Sequence, residues 1–127
     1  MANLPYMPQE IFWVGDSKEQ LSSFPLAARK RLGFGLRQVQ NGLMPEIAKP
    51  LSGPGSGVYE LKANARGDTF RVVFLLKLKR AVYVIDAFQK KSKRGGQTPK
   101  EVRERLKRRI AEARKHEDER SNGDQTE

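Results

Sequence analysis

The chain has 127 residues, room for one hydrophobic core and not two, and its 25 Lys and Arg against 15 Asp and Glu give a formal charge of +10. It has no cysteine, which excludes disulfides, thiolate zinc sites and a nucleophilic thiol. No apolar run reaches transmembrane length and the first residues lack a basic-then-apolar layout, so the expected setting is the cytoplasm, without a membrane.

Ile11-Phe12-Trp13-Val14 predicts a short first strand, free to pair at an edge of a sheet. Asp16 followed by Glu19 predicts an Asp form of the capping box and a short helix. Pro25, after Phe24, fits the first position of a second helix. In that helix Ala28, Leu32, Leu36 and Val39 recur at helical spacing while Arg29, Lys30 and Arg37 point elsewhere, and Asn41-Gly42 ends it. Gly33 and Gly35 inside it cost about 1 kcal/mol each relative to alanine, and the expected compensation is close approach to a sheet. Residues 43–57, with Pro45, Pro50, Pro54, Gly53, Gly55 and Gly57, predict a loop.

Three strand-like segments follow, Val58–Ala65, Thr69–Leu78 and Ala81–Phe88, joined by turns at Arg66-Gly67-Asp68 and Lys79-Arg80. Turns this short predict an antiparallel meander. Lys90 to Gln97 is a basic loop holding Lys91, Lys93 and Arg94. Thr98-Pro99-Lys100-Glu101 then combines an N-cap, a helix-opening proline and a capping-box glutamate. The helix it opens carries Val102, Leu106, Ile110 and Ala113 on one narrow stripe, with Arg103, Arg105, Lys107, Arg108 and Arg109 around the rest. Those cations read either as a solvated face or as phosphate contacts.

Residues 116–127 are nearly free of apolar side chains and read as a disordered acidic tail. Their five acids and one base sum to −4, which leaves +14 on the domain of residues 1–115. A field of that sign attracts a polyanion and speeds encounter with it. The expected class is α+β, one domain in the order β-α-α-β-β-β-α, with helices on an antiparallel sheet.

Strand parity sorts the cations. If the core rows are those of Tyr59, Phe70 and Tyr83, then Lys62, Arg71, Asp86, Phe88 and Lys90 share the opposite face. A plain ion pair between Arg71 and Asp86 is the structural alternative.

Several strings, in this order and spacing, resemble the RelE/ParE toxin superfamily and, within it, the phage-derived, HigB-like branch. They are Lys49-Pro50-Leu51, Gly57-Val58-Tyr59-Glu60-Leu61, Gly67-Asp68-Thr69-Phe70-Arg71-Val72-Val73, Ala87-Phe88-Gln89-Lys90-Lys91-Ser92 and Thr98-Pro99. Phe24-Pro25 and the stretch Leu36–Gln40 before Gly42 add to the likeness, which spans roughly residues 11–112. The resemblance implies a compact RelE-like fold and a type II toxin that cuts mRNA in the ribosomal A site without a metal or cofactor. It also implies a cognate antitoxin, commonly a helix-turn-helix protein. On that resemblance Lys49, Lys62, Arg71, Lys90 and Lys91 fall where the family's cationic site residues lie. Two positions depart from the branch, which usually has arginine at Lys62 and often histidine at Asp86.

Metal-free cleavage needs a base for the 2′-hydroxyl, cations for the developing phosphorane charge and an acid for the leaving 5′-oxygen. Arg71 is the first choice for the charge, because a mid-strand arginine is held rigidly and offers a planar fork. Crowding among Lys62, Lys90 and Lys91 is expected to lower one lysine's pKa and fit it for proton transfer. Asp86 is an alternative base, and Phe88 a platform for an unpaired nucleotide. Lys49, Lys91, Lys93, Arg94, Arg105, Arg108 and Arg109 are candidate RNA contacts. The one histidine, His116, excludes a two-histidine ribonuclease mechanism, and the acids are too scattered to predict a metal site. Two rivals remain: a DNA gyrase poison of the same superfamily, without nuclease chemistry, and a non-catalytic RNA- or ribosome-binding protein. Arg71 and Phe88-Gln89-Lys90-Lys91 favour the nuclease.

Overall fold

A computed structural model describes residues 8–77, 81–90 and 99–124. Its elements are β1 (Glu10–Trp13), α1 (Ser17–Ser22), α2 (Leu26–Gln40), β2 (Ala48–Pro50), β3 (Val58–Ala65), β4 (Asp68–Lys77), β5 (Ala81–Lys90) and α3 (Lys100–Asp124). The expected α+β class holds, with one addition. The 43–57 segment is not wholly loop: Lys49 and its neighbours form β2, which pairs antiparallel with β3. Pro50 is tolerated there because β2 lies at the sheet edge, where an N–H can be spared.

The five strands order as β1-β5-β4-β3-β2. β3, β4 and β5 form the expected antiparallel meander, and β1 joins β5 in parallel at the opposite edge. The β3–β4 turn has two central residues, Arg66 at φ 54° and Gly67 at φ 80°, the pair of positive angles that matches the twist of a tight hairpin. The expected turn residues Lys79 and Arg80, the basic loop residues Lys91, Lys93 and Arg94, and the cap residue Thr98 lie outside the described residues.

Helices cover both faces of the sheet. The α2 stripe Ala28, Leu32, Leu36 and Val39 is buried as its periodicity predicts, together with Leu21 and Phe24, against Leu61, Phe70, Val72, Phe74, Val82 and Val84. On the other face Leu106, Ile110 and Ala113 of α3 cover Val58, Val73, Leu75, Tyr83 and Ile85. α2 ends in a Schellman motif: the Leu43 amide donates to the Gln38 carbonyl at 2.9 Å and the Gly42 amide to Val39 at 3.0 Å.

Tyr83 therefore does not share a face with Phe70, and the reason is a bulge. Val73 pairs with Asp86 but Phe74 pairs with Val84, so Ile85 is an extra residue in β5. The bulge resets the alternation, and Tyr83, Ile85 and Asp86 all face α3.

The acidic tail is likewise not disordered through residue 124. α3 continues through Asp124, because His116 and Arg120 find aromatic partners on β1 and β5. His116 packs edge-on against Phe12 with centroids 4.8 Å apart, and it shares a 2.8 Å hydrogen bond with the Tyr83 hydroxyl. Arg120 lies 4.9 Å over the Phe12 ring and pairs with the buried Glu117 at 3.4 Å. Burial raises the pKa of Tyr83, so this hydroxyl stays neutral.

Of the two helix-interior glycines, only Gly35 has the expected close approach: a Cβ there would stand 3.2 Å from Ile47 Cδ1 and 3.3 Å from Leu61 Cδ1. At Gly33 nothing lies within 4 Å. Gly33→Ala should therefore raise the unfolding free energy by about 1 kcal/mol in urea titration, while Gly35→Ala falls short of that gain because Leu61 and Ile47 must shift. Equal gains at both positions would contradict this packing.

Candidate nucleic-acid interface

The α3 face of the sheet continues past the helix as rows of register-paired side chains. One row runs Lys49, Glu60, Val73, Asp86 across β2 to β5. The next holds Lys62, Arg71 and Phe88, and the one after it Asn64, Thr69 and Lys90. So Lys62, Arg71, Asp86, Phe88 and Lys90 do share one face, and Lys49 joins them through β2.

Arg71 stands at the centre, with a side chain only 14% exposed. It pairs not with Asp86 but with Glu60, whose Oε2 accepts from Arg71 Nη1 at 2.8 Å. Arg71 Nε is buried and meets no acceptor among the described residues. A buried donor left unpaired costs about 1–3 kcal/mol. Lys49, Lys62 and Lys90 form no ion pair among the described residues, and Lys49 is exposed. Phe88 is half-buried beside Arg71.

Glu60 is the residue that sequence reasoning left out. Its signal was available: it shares strand parity with Lys62, and a carboxylate among cations orients whichever of them it binds.

Asp86 is not a base. Its side chain is 1% exposed, Oδ2 accepts from Arg105 Nε at 2.7 Å, and Oδ1 accepts from Arg109 Nη1 at 3.2 Å and from the Ala87 amide at 2.9 Å. Both oxygens are occupied by donors from within the chain. The same contacts correct the reading of Arg105 and Arg109 as RNA contacts. They dock α3 onto the sheet, and neutralising them tests the fold and not RNA contact. Arg108, by contrast, is exposed.

Arg109 reaches further. Its Nη2 donates to Asp16 Oδ1 at 2.8 Å, so Asp16 binds α3 and makes no side-chain cap bond to α1. The guanidinium passes directly over Gly15, where a Cβ would come within 2.6 Å of Nη2 and where φ is +56°. Two constraints thus exclude other side chains at that position. The hydrogen bond from Arg109 holds the Asp16 carboxyl below its usual 3.8. A depressed folded-state pKa means that this contribution to stability is complete above that value and is lost as pH falls through the folded pKa.

Among the described residues no three His, Cys, Asp or Glu side chains are grouped to hold a metal ion, and no helix is long and apolar enough to cross a membrane.

Residues 19–111 match the family described as phage derived protein Gp49-like (DUF891), and the chain belongs to that family. Among curated proteins none matches the sequence significantly. Among solved structures, a free double mutant of the toxin RelE from E. coli is similar at a TM-score of 0.50 and 18% identity, over 64% of this chain and 82% of that one. The toxin–antitoxin complex RelBE2 from Mycobacterium tuberculosis is similar at a TM-score of 0.44 and 14% identity, over 64% and 96%. The RelE-like fold and phage-derived family expected from the sequence are borne out.

The buried cluster makes a sharp expectation. Asp86→Ala strands two guanidinium groups and should cost about 3–5 kcal/mol of stability, whereas Arg108→Ala should stay within about 0.5 kcal/mol of wild type. Chemical unfolding of the two variants decides it. A stable Asp86→Ala protein would mean that α3 is held by its apolar stripe alone.

Proposed function

We propose that this Gp49-like family member is the toxin of a type II toxin–antitoxin pair, and that it cuts mRNA on the ribosome without a metal. Its expected partners are mRNA in the ribosomal A site and a cognate antitoxin of helix-turn-helix type, both acting in the cytoplasm. The observation that carries the reading is Arg71: a guanidinium tied by Nη1 to Glu60 and flanked by Lys62 and Phe88 in one row of the cationic face.

The chemistry is a transesterification. The 2′-oxygen attacks the adjacent phosphorus, the bond to the 5′-oxygen breaks, and a 2′,3′-cyclic phosphate forms. A base removes the 2′-proton and an acid protonates the leaving oxygen. Arg71 stabilises the charge that grows on the phosphorane oxygens, with its direction already fixed by Glu60 so that no reorganisation is needed. Lys62 lies next to Arg71 in the row and Lys90 one row on, so these two are assigned the proton transfers. Phe88, on the far side of Arg71, offers a face for an unpaired base. With Asp86 withdrawn into the core, the acid–base work rests on the lysines.

Arg71→Ala should reduce cleavage by about 2.7–4 kcal/mol of transition-state stabilisation, some hundredfold to thousandfold, and relieve growth inhibition. Arg71→Lys keeps a cation beside Glu60 yet loses the fork, so it should fold normally and still lose most activity. Primer extension on mRNA from a translation reaction reads both. A folded Arg71→Lys protein with wild-type cleavage, or a wild type that blocks DNA supercoiling and leaves mRNA whole, overturns the assignment.

Cleavage by the wild type should persist in excess EDTA once ribosome integrity is controlled separately, and should leave a 2′,3′-cyclic phosphate or the 3′-phosphate from its hydrolysis. A strict requirement for magnesium in the chemical step contradicts the lysine mechanism.

A further inference from the structure

A groove of about 350 Å³ lies between the segment after β2 and the first half of α3. Leu51, Pro54, Leu106 and Ile110 make an apolar floor, and the exposed Arg103 and Lys107 stand among its walls. Among the described residues no acidic side chain lines it. The Leu51 amide donates to the Val58 carbonyl at 2.9 Å, continuing the β2–β3 ladder, so Leu51 shares a face with Lys49 two residues back. At the rise of a strand that places them roughly 7 Å apart. The groove therefore opens beside the row of Lys49 and Glu60, two rows from Lys62, Arg71 and Phe88.

We propose that this groove seats one unpaired nucleobase of the RNA strand, further along the same strand as the phosphate held at Arg71. The inference rests on the nuclease reading and adds a base subsite to it. An RNA nucleotide is a flat, largely apolar ring with an anion on either side, and the groove presents the complementary surface: aliphatic floor, cationic wall, no acid. Its volume is at the lower end of the range for small-ligand pockets, about 300–1,000 Å³, which suits a single nucleoside. Continuity with the cationic rows favours a strand of RNA over an apolar side chain from a protein partner, because one strand then occupies both places. Lys107 holds a flanking phosphate, while Leu51 and Leu106 take the base.

Binding of hexauridylate and of the same oligomer without bases, measured at low salt with intact wild-type protein, tests this. The two ligands carry equal phosphate charge, so their affinity ratio isolates the bases. Wild type should prefer the base-bearing oligomer by about fivefold or more. Ser52→Leu, an exposed position on the groove wall, should fill the seat and reduce that ratio at least threefold, with affinity for the abasic oligomer unchanged. Lys107→Ala should weaken both oligomers alike and flatten the salt dependence. Circular dichroism confirms folding of each variant. An unchanged ratio in Ser52→Leu, a wild-type ratio of one, or no binding of either oligomer overturns the seat; the first leaves the groove to a protein side chain. The two readings fail separately. Cleavage with a ratio insensitive to Ser52→Leu removes only the seat, and a sensitive ratio without cleavage removes only the nuclease.

Discussion

The buried carboxylate of Asp86 organises this molecule. Taking Asp86 out of water costs several kcal/mol, repaid only because two guanidinium groups and an amide converge on it. Both guanidiniums come from α3, on successive turns at Arg105 and Arg109, so the helix has one rotation and one axial position in which the acid is satisfied. The bulge at Ile85 is what turns Asp86 toward that helix. Arg109 then extends the constraint across Gly15 to Asp16, so the strand β1, the start of α1, the bulge and α3 are fixed together. Apolar burial of Leu106 and Ile110 supplies the larger share of docking energy, but it is non-directional. The ion cluster supplies the register.

That register decides what the cationic surface can do. Three of the arginines that composition would assign to a nucleic acid are committed within the chain: Arg105 and Arg109 to Asp86, and Arg120 to Glu117 and Phe12. Among the described residues the cations left facing outward on the sheet are few and aligned. Lys49, Lys62, Arg71 and Lys90 come from four strands whose spacing is set by the ladder, and a sheet holds such groups more rigidly than a loop does. Glu60 subtracts a charge from this surface and gives direction in return, since a guanidinium held on one nitrogen cannot rotate away from an incoming phosphate.

What the sequence disclosed follows from range. The α2 stripe, the α3 stripe, the tight Arg66-Gly67 turn and the meander are written in neighbouring residues, and periodicity finds them. Strand parity placed Lys62, Arg71, Phe88 and Lys90 together correctly, because those residues lie on one side of the bulge and need only local alternation. Tyr83 lies on the other side of it, and parity carried across an extra residue fails. The fate of Asp86 was hidden for the same reason: its partners are some twenty residues away on a helix whose rotation no local pattern gives. Residues 116–124 were misjudged because hydropathy cannot see a histidine and an arginine that pack on rings from β1 and β5. Gly35 and Gly33 look identical in sequence and differ only in what lies opposite them.

The charge order along α3 runs against the helix itself. Cations at Lys100, Arg103, Arg105, Lys107, Arg108 and Arg109 outnumber Glu101 and Glu104 in its first half, and Glu112, Glu117, Asp118, Glu119 and Asp124 outnumber Arg114, Lys115 and Arg120 in its second, with no base in the last turn. A helix macrodipole favours the reverse arrangement by about 0.3–1 kcal/mol per charge. Helix stability therefore does not explain the order, and two other terms do. Asp86 recovers part of it, by binding Arg105 and Arg109. The remainder shapes the field outside the protein: with the acids anchored beside β1 and not trailing in solvent, the negative potential is confined to one end of α3. The other end, next to Phe88 and the rows of Lys49 and Arg71, is left strongly positive. An anionic strand approaching such a surface is drawn to one end of the sheet, and that is the end where the open cations stand.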